Sequence, residues 1–235
     1  MKKLVVFVEG QTEQLFIERF ITEIVGANGI VIKKRKLTGG SRSKPQWVRL
    51  WTSASGPGRD YFILIIDCTG YTRVNSDIRD NYDSLVSEGY SAIIGIRDVY
   101  PEFNHVDISK LRLGLNYRLK TRPVQVVFVL GVMEIETWFI CEHTHFGRVD
   151  SKLTVTRIKG SLGFDPSVDD IQLRPIPSND LDAIYQLVGQ QYQKDYGSMQ
   201  VLLNRLDYTS LYCHVRNRLP DLGALIESID TFLTP

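Results

Sequence analysis

Three acidic residues stand just after apolar runs that have the composition of strands buried on both faces. They are Glu9 after the run 4–8, Asp67 after the run 61–66, and Asp98 after the run 92–96 with Arg97 between. Parallel strands end at one edge of a sheet, so we expect these carboxylates to lie close together. Close carboxylates repel one another unless they are protonated or bridged by a cation. Because Mg²⁺ (or Mn²⁺) binds carboxylates together with phosphate oxygens, the pattern predicts metal-assisted chemistry on phosphate esters.

A fourth apolar run, 124–130, is followed by Glu134 and Glu136. We expect a helix to begin here, and residues two positions apart on a helix point in different directions. At most one of the two glutamates should therefore face the site, either Glu134 as a metal ligand or Glu136 as a supporting catalytic acid. The competing interpretation is that each acid after a strand caps a helix or completes a turn.

The segment 24–59 contains no acidic residue and carries a run of four basic ones. These are Lys33, Lys34, Arg35 and Lys36. With Trp47 and Trp51 downstream, and with Arg97 beside the predicted acidic edge, the run predicts contact with the backbone and bases of DNA or RNA. The alternative is an exposed strand end followed by a loop whose tryptophans pack on the core.

Strand and helix patterns alternate from the N-terminus to about residue 140. The predicted strands are 4–8, 30–32, 61–66, 92–96 and 124–130, and the predicted helices are 15–24, 75–88 and 108–119. Continuous apolar strands joined by amphipathic helices are typical of an α/β fold with a mostly parallel sheet flanked by helices. The segment 38–58 is rich in Gly, Ser and Pro, which predicts a loop.

From residue 143 onward the pattern becomes turn-rich, with amphipathic helices expected near 181–192, 199–206 and 222–232. We therefore expect an α/β domain over 1–142 and a C-terminal helical subdomain over 143–235. His143 and His145 lack further ligand residues nearby in the sequence and are expected to be surface histidines.

The composition of the 235 residues is that of an ordinary globular protein, with a net charge of +1. Attraction to nucleic acid would therefore need local basic patches. The run 4–8 is too short for a signal peptide and no stretch predicts a membrane helix. The three cysteines, Cys68, Cys141 and Cys213, are far apart and odd in number, which favours a reducing cytoplasm over a disulfide framework.

Four segments resemble motifs of a known superfamily, the TOPRIM domains. The opening segment 4–16, LVVFVEGQTEQLF, is similar to the first TOPRIM motif in its EGxTE form, found in OLD-type nucleases and in small defence-associated TOPRIM-like proteins. The segment GIRDVYP at 95–101 resembles a later TOPRIM strand. VMEIETWF at 132–139 and Tyr192-Gln-Lys194 resemble motifs of the small TOPRIM-like proteins. The resemblance implies a TOPRIM or Rossmann-like fold.

The resemblance also implies roles for the acids. Glu9 would be a metal ligand or general base, and a later strand would carry an Asp-x-Asp pair that binds Mg²⁺. This chain departs from that pattern, because Asp98 is followed by Val99 and Tyr100, and Asp67 by Cys68 and Thr69. Which aspartate takes the family position stays open. OLD-type proteins often work with an ATPase, so a separate ATPase subunit is an implied partner. Whether the chain also forms a homo-oligomer stays open.

Three functions follow from these patterns. The first is a Mg²⁺-dependent nuclease or nuclease-like component of a prokaryotic phage-defence system. The second is a non-catalytic interaction or sensor module with a degenerate acidic site, which the interrupted Asp-x-Asp favours. The third is a phosphatase-like enzyme with Asp67 as nucleophile, which is disfavoured because Thr69 stands where that class has a second aspartate.

Overall fold

A computed structural model describes residues 1–26, 29–38, 46–55, 60–70 and 72–234, with only the backbone described at 37–38 and 46–55. The strands are β1 (Lys2–Val8), β2 (Ile30–Thr38), β3 (Gln46–Ser55), β4 (Tyr61–Asp67), β5 (Ala92–Asp98) and β6 (Val126–Gly131). They form one six-stranded sheet in the order β3-β2-β4-β1-β5-β6. Five strands are parallel and β3 is antiparallel to β2, so the predicted α/β fold with a mostly parallel sheet is confirmed.

Ten α-helices connect and follow these strands within the described ranges. They are α1 (Gln11–Val25), α2 (Arg73–Ser87), α3 (Ile108–Leu115), α4 (Glu136–Cys141), α5 (Phe146–Val149), α6 (Val155–Leu162), α7 (Pro177–Gln186), α8 (Tyr196–Leu203), α9 (Tyr208–Cys213) and α10 (Pro220–Leu233). Every helix predicted from apolar spacing is present, with ends displaced by a few residues, as is usual for helix boundaries.

The chain forms two compact units that are discontinuous in sequence. Unit 1 comprises residues 1–97, 109–129 and 224–235, and unit 2 comprises 98–108 and 130–223. The span 1–142 thus contributes to both units, and the last helix belongs mainly to unit 1. The expected division into an α/β domain over 1–142 and a helical subdomain over 143–235 stays a prediction.

The middle of the sheet is built from β1 and β4. Their parallel register pairs Leu4 with Ile63 and Val8 with Asp67. Alternate side chains of these strands, such as Phe7 and Ile66, pack with α2 in one apolar cluster. Because residues 4–8 are fully buried, the strand has no polar face, as its continuous apolar run predicts.

The predicted loop over 38–58 is wrong in its central part. Residues Gln46–Ser55 form β3, paired antiparallel with β2, and β2 itself extends to Thr38 rather than ending at Ile32. The residues of β3 are rich in Trp, Val, Leu and Thr, which favour strands, but the Gly, Ser and Pro residues on both sides concealed this preference.

Gly95 allows close packing between β5 and its neighbours in unit 1. A Cβ placed there would lie 2.6 Å from a ring carbon of Phe128 and 2.8 Å from Cδ1 of Ile78. By contrast, a Cβ at Gly114 in α3 would meet no atom within 4 Å.

We expect Gly95→Ala to lower the free energy of unfolding by about 1–3 kcal/mol, because an added methyl group overpacks the core. Gly114→Ala is the matched control and should leave it unchanged or raise it by up to about 1 kcal/mol, since alanine favours helix. Urea denaturation followed by circular dichroism measures both changes. Equal effects of the two substitutions would contradict the packing described at Gly95.

Candidate functional site

The glutamates of the EGQTE segment have different surroundings in unit 1. Glu9 follows β1 and is 6% exposed, and its Oε1 lies 3.6 Å from Nε of Arg97. Glu13 is in the first turn of α1, where its Oε2 accepts a hydrogen bond of 3.0 Å from the backbone N of Gly10. Glu13 therefore stabilises the start of α1 and the turn that presents Glu9.

Asp67 ends β4 and is almost fully buried. Its Oδ2 lies 3.5 Å from Nζ of Lys36, and its Oδ1 accepts a hydrogen bond of 2.8 Å from the backbone N of Thr69. Because Val8 and Asp67 are register partners, Glu9 and Asp67 lie at the same edge of the sheet, as the sequence predicts. Each of these two acids already faces a cationic side chain.

The basic run of β2 does not present four side chains to one surface. Lys34 is buried and its Nζ lies 2.6 Å from Oε2 of Glu18, while Lys36 contacts Asp67. Lys33 lies over the ring of Phe62, with Nζ 5.5 Å from the ring centroid. The predicted role of this run and of Arg97 in nucleic-acid binding stays a prediction, and Trp47 and Trp51 fall where side chains are not described.

Unit 2 holds a cluster of charged side chains, which consists of Glu134, Glu136 and Lys194. Nζ of Lys194 lies 3.1 Å from Oε1 of Glu134 and 3.0 Å from Oε1 of Glu136. Glu136 is fully buried and Glu134 nearly so, whereas the Lys194 side chain is 45% exposed. The lysine is therefore the member of the cluster that solvent or a ligand reaches.

Hydrogen bonds from two further residues fix the orientation of the carboxylates of this cluster. Ser178 donates to Glu134 from its backbone N (2.7 Å) and from its hydroxyl (3.0 Å). The hydroxyl of Tyr192 donates to Oε1 of Glu136 at 2.5 Å. Hydrogen bonds to a charged acceptor are stronger than those between neutral groups, so both carboxylates are held in place.

The expectation that Glu134 and Glu136 point in different directions is wrong, because both contact Lys194. The physical reason is that α4 begins at Glu136, so Glu134 lies in the preceding turn and helical spacing does not apply to the pair. Met133, just before Glu134, has a φ of 60°, which marks this turn.

Asp98 lies close to the same cluster in unit 2. A Cβ at Gly131 would collide with its Oδ1, so the absence of a side chain at Gly131 makes room for the carboxylate. The negative charge of Asp98 also acts on Lys194. The structure thus brings together Asp98, Glu134 and Glu136 from the predicted set, around a lysine.

Burial and charge shift two pKa values in this cluster. Burial raises the pKa of Glu136, the charge of Lys194 opposes the rise, and Glu134 adds to it. Burial on its own would lower the pKa of Lys194, but the charges of Glu136 and Glu134 outweigh burial and raise it. The ammonium therefore stays charged throughout the physiological range.

Lys194, Tyr192 and Ser178 carry no predicted site role from local sequence spacing. The triplet 192–194 was singled out only through its resemblance to a family motif. These residues lie more than forty positions from the glutamates, with separations of 44 for Ser178, 56 for Tyr192 and 60 for Lys194. No periodicity within one element reports such a contact.

The expected surface position of both histidines is wrong for His145, which is fully buried. Its Nδ1 lies 3.4 Å from Oε2 of Glu142 and 2.5 Å from the carbonyl oxygen of the same residue. His145 follows the short α4 and packs against Phe146 and Tyr185, so it belongs to the interior of unit 2.

A resident Mg²⁺ or Mn²⁺ does not fit these residues as they are placed. Within the described ranges no three His, Cys, Asp or Glu side chains form a group that could hold a metal ion. In unit 2 the converging carboxylates enclose an ammonium instead. The oxygen donors are chemically suited to a hard cation, but Lys194 already provides the positive charge.

Comparisons of this chain with models of protein families, with curated proteins and with solved structures find no match. Among the helices of the described ranges, none is sufficiently long and apolar to cross a membrane.

One further buried acid lies in unit 1, and its position in the sequence predicts no role for it. Asp77 in α2 is 8% exposed and accepts from Arg73 at 3.5 Å. Burial raises the pKa of Asp77, with Arg73 and Cys68 opposing the rise. Burial likewise raises the pKa of the Cys68 thiol, and the charge of Asp77 raises it further. Cys68 is therefore an un-ionised thiol.

We expect Asp77→Asn to flatten the pH dependence of stability. An acid whose pKa is raised in the folded state favours folding below its unfolded pKa, about 4, and loses that contribution as pH rises through the folded pKa. Asparagine does not ionise, so the urea midpoint of the variant relative to wild type should rise as the pH increases above about 4. Asp83→Asn, at a side chain 77% exposed, is the control. Parallel pH profiles of wild type and Asp77→Asn would contradict the shift.

Proposed function

We propose that this protein hydrolyses phosphodiester bonds in nucleic acid, using the cluster of Asp98, Glu134, Glu136 and Lys194. The observation that carries the proposal is the half-exposed side chain of Lys194, whose ammonium lies between two buried carboxylates. Groups with shifted pKa values that are fixed by hydrogen bonds are typical of active sites, although structural ion pairs share this property. The resemblance of the opening segment to TOPRIM nucleases adds independent support.

The chemistry divides among the members of the cluster according to their exposure. Lys194 would contact the phosphate and stabilise the negative charge that develops during hydrolysis. Asp98 and Glu134 are oriented carboxylates suited to accept a proton from the attacking water. Glu136 is fully buried, so it would act as a positioning residue that, with Tyr192, holds Lys194 in place.

The charge of the cluster bears on the proposed need for Mg²⁺ or Mn²⁺. With all groups ionised, three carboxylates and one ammonium leave an excess of negative charge, which repels a phosphodiester. A divalent ion needed for turnover would be carried by the phosphate oxygens of the substrate and not by this cluster. The assay below measures whether turnover needs it.

The proposed function also involves nucleic acid and protein partners. In unit 1, Arg35 and the exposed part of Lys36 are suited to contacts with the phosphate backbone of DNA or RNA. A place in a cytoplasmic phage-defence system, a separate ATPase subunit and self-association are parts of the same proposal, and they rest on the TOPRIM resemblance alone.

A second candidate is a non-catalytic interaction module. One observation favours it: the acids Glu9, Asp67, Glu134 and Glu136 each contact a basic side chain of this chain. Ion pairs of this kind also occur as purely structural features, without any turnover.

We expect the wild-type protein to cleave at least one of supercoiled DNA, linear DNA, single-stranded DNA and RNA. Because oriented charged groups contribute large factors to phosphoryl chemistry, Lys194→Met and Glu134→Gln should each lower the cleavage rate about 100-fold or more. Reactions with Mg²⁺, with Mn²⁺ and with EDTA show whether a divalent ion is required. Gel electrophoresis of the products gives the rates.

Lys159→Met is the matched control, because Lys159 is a lysine of the same unit that faces one carboxylate at 3.5 Å. It should cleave at the wild-type rate. Cleavage by folded Lys194→Met at the wild-type rate would contradict the site. No cleavage of any substrate by the wild type would favour the interaction module.

A further inference from the structure

The ammonium of Lys194 lies where two buried carboxylates require a cation. It is 3.1 Å from Glu134 and 3.0 Å from Glu136, which is fully buried. An isolated carboxylate at such depth would be strongly disfavoured in its charged form. The ammonium therefore supplies, between the two acids, the positive charge that a bridging metal ion would supply.

A second observation indicates unused capacity for a ligand in this cluster. Oε2 of Glu136 is buried and has no hydrogen-bond partner within the described part of the chain. Its twin Oε1 accepts from Tyr192 and contacts Lys194. Buried polar atoms without partners are rare in folded proteins. This oxygen therefore has a lone pair available to coordinate a cation.

We propose that Lys194 is the built-in cation of this cluster and that it excludes divalent ions from it. Removal of the ammonium leaves Glu134 and Glu136 as a pair of carboxylates for one divalent cation, with water ligands completing its shell. This inference concerns cation binding and does not rest on the proposed hydrolysis.

The charge balance explains why the lysine excludes a metal. A metal ion bound to the same two carboxylates would lie close to the ammonium of Lys194, and the two positive charges would repel each other strongly. Without the ammonium, hard carboxylate oxygens remain in a space that holds a small cation, and Mg²⁺ or Mn²⁺ needs only one or two protein carboxylates when waters complete the shell.

Mn²⁺ alone is the probe, because its binding is followed by electron paramagnetic resonance and by calorimetry without any substrate. We expect folded Lys194→Met to bind one Mn²⁺ per chain at least about tenfold more tightly than wild type, since affinity follows the charge of the ligand set. Mn²⁺ should also raise the unfolding temperature of the variant more than that of wild type.

Two controls locate the effect. Lys159→Met removes a lysine from a single-carboxylate pair and should bind Mn²⁺ as weakly as wild type. The double variant Lys194→Met/Glu134→Gln should lose the gain. Equal affinity of wild type and Lys194→Met, no binding to folded Lys194→Met, or a gain retained in the double variant would overturn the proposal.

Lys194→Gln is measured in parallel because it keeps a polar side chain beside the buried acids. If neither lysine variant folds alone, refolding in Mn²⁺ decides the question. Recovery of the folded circular dichroism spectrum with Mn²⁺ supports a cation site that replaces the ammonium, as metal binding then couples to folding. No recovery at saturating Mn²⁺ overturns it.

Discussion

The burial of Glu136 beside Glu134 is the constraint on which the chemistry of unit 2 depends. Neither carboxylate is stable in its charged form at that depth without a nearby cation, and Lys194 supplies it at 3.0 to 3.1 Å. The hydrogen bonds from Ser178 and Tyr192 set the orientation of the acids. Because the lysine comes from a segment far along the chain, the ion pairs also fix that segment against the start of α4.

Charge compensation of the same kind recurs in unit 1. The strand ends of β1 and β4 deliver buried acids, and Arg97 and Lys36 face them. Parallel strands make such an edge acidic by their geometry, since each strand ends on the same side. The charge of each acid must then be balanced by a side chain, a ligand or a proton. In this protein basic side chains provide much of that balance.

The fold class was predictable because continuous apolar runs and amphipathic helices are local signals, and β1, β4 and β5 show them clearly. The strand β3 was missed because its turn-forming flanks outweighed its own aromatic and branched residues. The position of the acids after the strands was also predictable. The convergence of Glu134 and Glu136 on Lys194 was not, because it depends on a turn before α4 and on a contact 60 residues apart in the sequence. Gly131 beside Asp98 gives no local signal of the space that it provides.

A double-mutant cycle on Lys194 and Glu136 tests the central claim most directly. The free energy of unfolding is measured for wild type, Lys194→Met, Glu136→Gln and the double variant. A buried charge left without its partner costs about 3–5 kcal/mol, so Lys194→Met should be strongly destabilised. The account predicts that adding Glu136→Gln restores part of that loss, with a coupling energy above about 1 kcal/mol. Additive effects within about 0.5 kcal/mol would contradict it, since the two residues would then not act as a charge pair.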